Sequence, residues 1–404
     1  MPTETKLFNH MRAFDVMKKF GLDAIIATSP ENVHYATGFV SNAPFCFRDM
    51  VFFAVASSDQ NQTALVVPKG EICNILDHVP WTSDIVLYGD STMQVPLNLK
   101  ALDGLERGYY NYLVNHGNGH DEAVEAFDSV LRTRGLQEGR IGFDERGVAP
   151  HILRRIRNML PKAELIDAFQ IWREIRAIKT APEVNKLREA ARRNEAALRQ
   201  VYESVRVGAD QGILQEIYHR NLVENGASFR YWDAGLGTQS STCFPFSPYK
   251  AQLKDLVRVD AACTLEYYYS DTGRTLILGA PNEKKIKYFE AIHAGIKAGL
   301  NSVKPGVATS DVFHTIMEAV AEAGIPHHTR TQCGHGIGLE FYEIPLISPS
   351  KTRERLLLEE GMVLNLETPY YELGFGGIQI EETVVVTNSG CERLTQESMD
   401  LIVC

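Results

Sequence analysis

The strongest constraint on what this chain can fold into is a change of pattern near residue 170. Before it, short apolar runs alternate with amphipathic ones. DAIIAT (23–28), MVFFAVA (50–56), TALVVP (63–68), DIVLYG (84–89) and RIGFDE (140–145) read as strands, with helical stretches near 120–135 and 150–160. Leu7, Met11, Phe14 and Met17 form a helical stripe that Gly21 ends. Such alternation predicts an α/β domain over residues 1–170. Thr180-Ala181-Pro182-Glu183 then reads as a capping box with proline in the first turn. It opens a long helix whose expected buried stripe is Val184, Leu187, Ala191, Leu198, Val201 and Val205, closed by Gly208. Beyond it, strands rich in Val, Tyr and Ile (256–260, 267–279, 361–368, 378–387) are interrupted by helices at about 283–303 and 309–323. This predicts an α+β domain on an antiparallel sheet over residues 171–404.

The chain length supports that division, since 404 residues exceed what one hydrophobic core usually organises. A net charge of −10 argues against nucleic acid or an anionic membrane as the main partner, while leaving room for a local basic pocket. No apolar run approaches bilayer length, and MPTETKLFNHMRAF lacks the apolar centre of a signal peptide. The seven cysteines (46, 73, 243, 263, 333, 391, 404) are odd in number and form no CxxC pair. Neither a disulfide framework nor a thiolate zinc site is suggested, and a cytoplasmic location is expected.

Three segments of the second half concentrate acid and imidazole groups. In VRVDAACTLEYYYSDTGRT, Asp260 and Asp271 stand at an odd offset. On one straight strand they would face opposite ways, but a hairpin between them would bring both to one site. In CGHGIGLEFYEIP, glycines flank His335 and allow close backbone approach. The third is the pair Glu367 and Glu381, with GFGG at 374–377 expected to turn the chain between their strands. Along IQIEET, Gln379, Glu381 and Thr383 share one face, which favours Glu381 over Glu382 as the inward acid. Taken singly these groups have plainer readings, such as an ion pair between Asp271 and Arg274. Together, four carboxylates and an imidazole in an apolar domain require cations or partners. An oxygen-rich set with one imidazole suits Mn²⁺ or a similar ion, and two such ions at ~3.5–4 Å can activate a water and polarise a carbonyl.

With these segments the chain resembles the creatinase/prolidase/aminopeptidase P family, the M24 metallopeptidases with the "pita-bread" fold. The likeness covers nearly the whole chain, through a creatinase-type N-terminal domain, the linker REIRAIKTAPEVNKLREA, and VDAACTLEYYYSDTGRT, KPGVATSDV, GHGIGLEFYEIP, EEGMVLNLETP and IQIEETVVVT. The resemblance implies that Asp260 and Asp271 bind metal, Asp271 as a bridge. It implies that His335 and Glu367 ligate the other ion, that Glu381 is the second bridge, and that Glu367 shuttles protons. Mn²⁺ is favoured, with Co²⁺, Zn²⁺ or Fe²⁺ as alternatives. A homodimer is also implied. Arg48, in NVHYATGFVSNAPFCFRDMVFFAV, matches an arginine that reaches the neighbouring subunit's site and holds a substrate carboxylate. An ordinary strand-edge arginine is the other reading.

The chain departs from the peptidase pattern in three places. No histidine lies between Tyr231 and Asp260, where Cys243 is near the expected position. Tyr342 stands where a second histidine is usual, and Gln379 where an arginine often precedes the last ligand. Tyr342 is expected to bind substrate and donate a hydrogen bond to an oxyanion. Cys243 has no paired histidine nearby and is not expected to be a nucleophile. His327 and His328 read as a solvated turn, with pocket lining as the alternative. Phe244, Phe246, Tyr249, Phe341 and Tyr342 suggest a compact aromatic pocket. The expectation is a dinuclear hydrolase of C–N bonds acting on dipeptides, as Xaa-Pro dipeptidases do. The alternative is a small-molecule amidohydrolase of the creatinase or ectoine hydrolase type. A non-catalytic binding protein fits less well, because all five ligand positions are filled.

Overall fold

The computed structural model describes residues 6–47, 49–58, 62–78, 80–91, 93–116, 119–245, 248–349 and 356–404. The chain divides into two compact units, Met1–Arg176 and Ala177–Cys404.

In the first unit, β1 (Ala24–Ala27), β2 (Phe53–Ser57), β3 (Ala64–Pro68), β4 (Asp84–Tyr88), β5 (Arg140–Phe143) and β6 (Glu164–Asp167) form one sheet in the order β4-β3-β2-β1-β5-β6. β1–β2 and β2–β3 are antiparallel, and the other three pairs are parallel. The continuous apolar runs of β1, β2 and β3 are buried throughout, as strands covered on both faces must be. Phe53 and Phe127 stack at 4.4 Å, with the helix Ala123–Thr133 packed on the sheet. The helix His10–Phe20 ends at Gly21, whose φ of 63° is a left-handed cap. Its buried face corrects the expected stripe: Ala13, Val16 and Met17 are inside, while Met11 and Phe14 are exposed. Leu7 is buried but precedes the helix, so it does not share the helical phase that the stripe assumed.

The second unit opens with the helix Ala181–Ser204. Thr180 N donates to Glu183 Oε2 at 2.8 Å and the Thr180 side chain accepts from Glu183 N, which is the expected capping box. The buried stripe includes Leu187, Ala191, Leu198 and Val201, but Val184 is only half-buried and the helix ends before Gly208. Polar groups share the stripe. Asn194 donates to Ala261 O at 2.9 Å and accepts from Tyr218 at 2.5 Å, joining the helix to the sheet beneath.

That sheet comprises β7 (Ser228–Leu236), β8 (Leu256–Leu265) and β9 (Tyr268–Ile277). Further along come β10 (Gly334–Gly336), β11 (Glu343–Leu346), β12 (Val363–Glu367), β13 (Tyr370–Glu372), β14 (Gly376–Ile378), β15 (Glu381–Val386), β16 (Cys391–Arg393) and β17 (Ile402–Val403). Their orders are β17-β9-β8-β7, β11-β10-β12-β15-β16 and β13-β14. All pairs are antiparallel except β17 with β9. The GFGG segment does not turn directly between β12 and β15; it caps the intervening β13–β14 ribbon. The two larger sheets meet where β9 passes β15. Thr275 Oγ1 donates to Gln379 O at 2.8 Å and accepts from Gln379 N at 2.7 Å, and Arg274 Nη1 donates to Glu381 O at 2.7 Å. Backbone groups outside the ladders are thereby paired, and the acids of both sheets are brought together.

Candidate metal centre

The β8–β9 hairpin resolves the odd offset of its two aspartates. Asp260 pairs with Gly273 and Asp271 with Ala262, so Asp271 lies two residues from Asp260's partner and on the same face. On the other sheet Glu367 pairs with Glu381, and His335 with Asn365. Asp271, His335 and Glu381 each offer a ligand atom, and these atoms lie within 4.8 Å of one another. His335 Nε2 is 3.9 Å from Asp271 Oδ2. Glu382 takes the opposite face, where Arg274 and Arg393 donate to it at 2.6 and 2.7 Å. Arg274 is thus paired with Glu382 rather than Asp271.

Two amides aim the carboxylates. Asn365 Nδ2 donates to Glu381 Oε1 at 3.0 Å, and Gln379 Nε2 donates to Asp260 Oδ2 at 2.9 Å. His335 Nδ1 lies 2.9 Å from Gly336 O, an arrangement in which Nδ1–H donates and Nε2 keeps its lone pair. Asp260 Oδ1, Asp271 Oδ1, Glu381 Oε2 and His335 Nε2 are then buried with no hydrogen-bond partner among the described residues. Burial pushes Asp271 and Glu381 well above the usual carboxylate range, with neighbouring acids adding to the effect. It raises Asp260 to about 7, raises Glu367, and lowers His335 to about 4. Without a cation these acids would hold protons. Divalent ions satisfy the orphaned atoms and reverse the penalty, so the donor set fits them.

The glycines beside His335 are required by space. Gly334 has φ 140°, and a Cβ there would lie 2.2 Å from Asn365 O; at Gly336 it would lie 2.4 Å from Ile344 O. Tyr342 stacks on the His335 ring at 3.8 Å and accepts from Gln332 Nε2 at 3.2 Å. Phe341 joins Tyr231 and Tyr269 at 5.5 and 5.7 Å, and Tyr231 also meets Phe244 at 5.6 Å. Tyr249 does not extend this wall as expected, because its hydroxyl donates to Asp255 at 2.8 Å. Arg48 and Phe246 lie outside the described residues.

Sequence reasoning missed Arg258, which is wholly buried. It donates to Asp233 Oδ1 at 2.9 Å, Thr242 O at 2.8 Å and Ser240 O at 3.2 Å, and reaches Gln379 Oε1 at 3.4 Å. Through Gln379 it backs Asp260. Its signal was available, two residues before Asp260 on the same strand face; so was that of Asn365, two before Glu367. His327 lies in an exposed turn and His328, half-buried, follows it, and the alternative reading as pocket lining also holds. Their Nε2 atoms lie 3.0 Å from Tyr370 Oη and 2.9 Å from Thr368 Oγ1, and both residues line a cavity of about 320 Å³. Both partners lie past Glu367 in the chain, where no local periodicity foretells the contact.

Comparison with known proteins agrees with this geometry. Residues 185–388 match the model of metallopeptidase family M24, and residues 11–178 match the creatinase/prolidase N-terminal domain. The Xaa-Pro dipeptidase of Lactobacillus delbrueckii subsp. lactis is 23% identical over 398 residues, covering 96% of each chain. The Xaa-Pro dipeptidase of Pyrococcus horikoshii is 28% identical over 235 residues, 57% of this chain and 66% of that relative. Among solved structures, an Xaa-Pro dipeptidase from Bacillus anthracis superposes with a TM-score of 0.76 at 21% identity, covering 98% of this chain and 99% of that one. That likeness shows the fold, an α/β N-terminal domain followed by an α+β pita-bread catalytic domain. By these matches the chain belongs to metallopeptidase family M24 and is a metallohydrolase carrying a creatinase/prolidase-type N-terminal domain.

Proposed function

We propose that this enzyme hydrolyses the C–N bond of dipeptide-sized substrates, the Xaa-Pro dipeptides for which its relatives are named. Asp260, Asp271, His335, Glu367 and Glu381 would hold two divalent ions. The observation that carries this reading is the set of buried ligand atoms without partners at the meeting of the two sheets. Two ions held there supply a water activated near neutral pH and a Lewis acid for the scissile carbonyl. Mn²⁺ is favoured by the oxygen-rich set with one imidazole; Co²⁺, Zn²⁺ and Fe²⁺ are the alternatives.

The chain's own groups do the rest. Glu367 takes a proton from the attacking water and delivers it to the leaving nitrogen, the work of a positioned carboxyl in acid–base catalysis. Tyr342, partly exposed above His335, donates to the developing oxyanion. Asn365 and Gln379 fix one oxygen of Glu381 and of Asp260, which aims the other at its ligand. We also infer a homodimer in which Arg48 reaches the partner's site, and a cytoplasmic location. Free cysteines and the absence of a helix long and apolar enough to cross a membrane among the described residues accord with the latter. An active monomer in sedimentation would sink the Arg48 idea.

A small-molecule amidohydrolase is the second reading, favoured by the aromatic wall around Tyr342 and by Gln379 in place of a cation. Turnover of Xaa-Pro dipeptides, decapeptides and cyclic or guanidino amides by the Mn²⁺-loaded enzyme separates the two. Activity should vanish on chelation and return with Mn²⁺. Full activity in protein shown by elemental analysis to be free of metal rejects the dinuclear reading and leaves the creatinase type.

A further inference from the structure

The cavity beyond Glu367 carries a charge that the hydrolysis just described does not use. Its 320 Å³ are bounded by His327, His328, Arg330, Tyr370, Tyr371 and Glu372, among others. It adjoins the ligand cluster from two directions. Thr368, which His328 contacts, directly follows Glu367. Tyr371 supplies the other wall, its ring 5.2 Å from the guanidinium of Arg258 that backs Asp260.

Arg330 differs from the other arginines of this region. Arg258 and Arg274 are buried and each is fixed by several acceptors, including a carboxylate. Arg330 is half-buried and uses only Nε, donating to Gln332 O at 3.4 Å; its Nη groups have no partner among the described residues. The acid that shares the cavity is already taken, because Glu372 pairs with Lys284 and accepts from Tyr370 at 2.5 Å. A half-buried guanidinium beside a catalytic centre, with no ion pair among the described residues, is a site for an anion. The charge count agrees: four carboxylates balance two divalent ions, which leaves the positive charge of Arg330 over. The planar fork matches a carboxylate, and a cavity at the small end of the ligand-pocket range takes a compact molecule rather than a long chain.

We propose that Arg330 anchors the free carboxylate of a compact substrate in this cavity, from within the catalytic unit. The proposal rests on the hydrolase reading of the same centre. It predicts that affinity follows the carboxylate and that Arg330→Gln raises KM while kcat changes little.

The test uses the full-length Mn²⁺-loaded protein. Calorimetry measures binding of L-proline and of L-prolinamide to wild type, Arg330→Gln and Arg330→Lys. Turnover of glycyl-L-proline and glycyl-L-prolinamide is followed in parallel. Wild type should prefer proline over its amide. Arg330→Gln should lose roughly 10- to 100-fold in proline affinity, as for a lost hydrogen bond between charged groups, with no change for the amide. Arg330→Lys should fall between, and Mn²⁺ stoichiometry and thermal midpoint should match wild type in Arg330→Gln. A preference that survives Arg330→Gln or is absent from wild type overturns the proposal. Failure of wild type to hydrolyse either dipeptide defeats the Xaa-Pro reading instead, and the binding measurements still decide for Arg330.

Discussion

Glu381 and Asp260 each give one carboxylate oxygen to an amide and keep the other unpaired, so these side chains are aimed as well as buried. Removing an aimed ligand should therefore cost metal before it costs fold. Glu381→Ala is expected to lower bound Mn²⁺ from two ions to one or none per chain, read by elemental analysis, and to abolish turnover. Tyr342 sits differently, stacked on His335 with 39% of its surface exposed. Tyr342→Phe keeps the ring and removes the hydroxyl. If the phenol serves the oxyanion, kcat falls by roughly 10²–10³-fold, the usual effect of a lost donor, with Mn²⁺ affinity unchanged. Equal kcat in the two proteins would assign the ring a purely structural part.

At the level of elements, the short strand Gly334–Gly336 is where sequence and tertiary packing meet most tightly. A methyl at Gly334 would strike Asn365 O at 2.2 Å, and the residue's φ of 140° is foreign to other side chains. Gly334→Ala should destabilise the protein by about 2–5 kcal/mol, combining backbone strain with overpacking. A lower thermal midpoint and weaker Mn²⁺ binding should appear together, because Asn365 also holds Glu381. Elements with strong local signals were legible in advance: the capping box at Thr180, the helices after 283 and 309, and the strands of the β8–β9 hairpin. β6 and β7 were not. β6 is exposed at both ends and β7 through its first three residues, so neither alternates cleanly enough to declare itself.

For the molecule as a whole, pH acts through buried acids that lie away from the ligand cluster. Glu183, in the capping box, accepts from Thr180 N and from Tyr268 at 3.1 Å. It shares its surroundings with the buried Lys179–Glu343 pair, 2.8 Å apart. Burial, its largest influence, pushes its pKa up from 4.5 to about 7, only partly offset by those bonds and by Lys179. Between those values the folded chain keeps a proton that the unfolded chain has lost, so this group's contribution to stability is full below about 4.5 and declines as pH rises through about 7. Glu183→Gln should flatten that part of the profile when unfolding free energy is measured by denaturant titration from pH 4 to pH 8. Parallel profiles for the two proteins would show that Glu183 ionises normally in the fold.

The sequence alone offered five candidate ligands and their spacing, because a hairpin and a glycine-flanked histidine are local facts; of these the fold brings Asp271, His335 and Glu381 within 4.8 Å of one another. The sequence also determined the division into an alternating first half and a strand-rich second half for the same reason, since periodicity is read over a dozen residues. Tertiary structure decided what periodicity cannot carry. It set the buried face of the first helix, and it paired Arg274 with Glu382 rather than Asp271. It buried Arg258 behind Gln379 and left the Arg330 fork facing a cavity without a partner. Each outcome depends on contacts between segments distant in the chain, where charge and volume are balanced across sheets rather than along a strand.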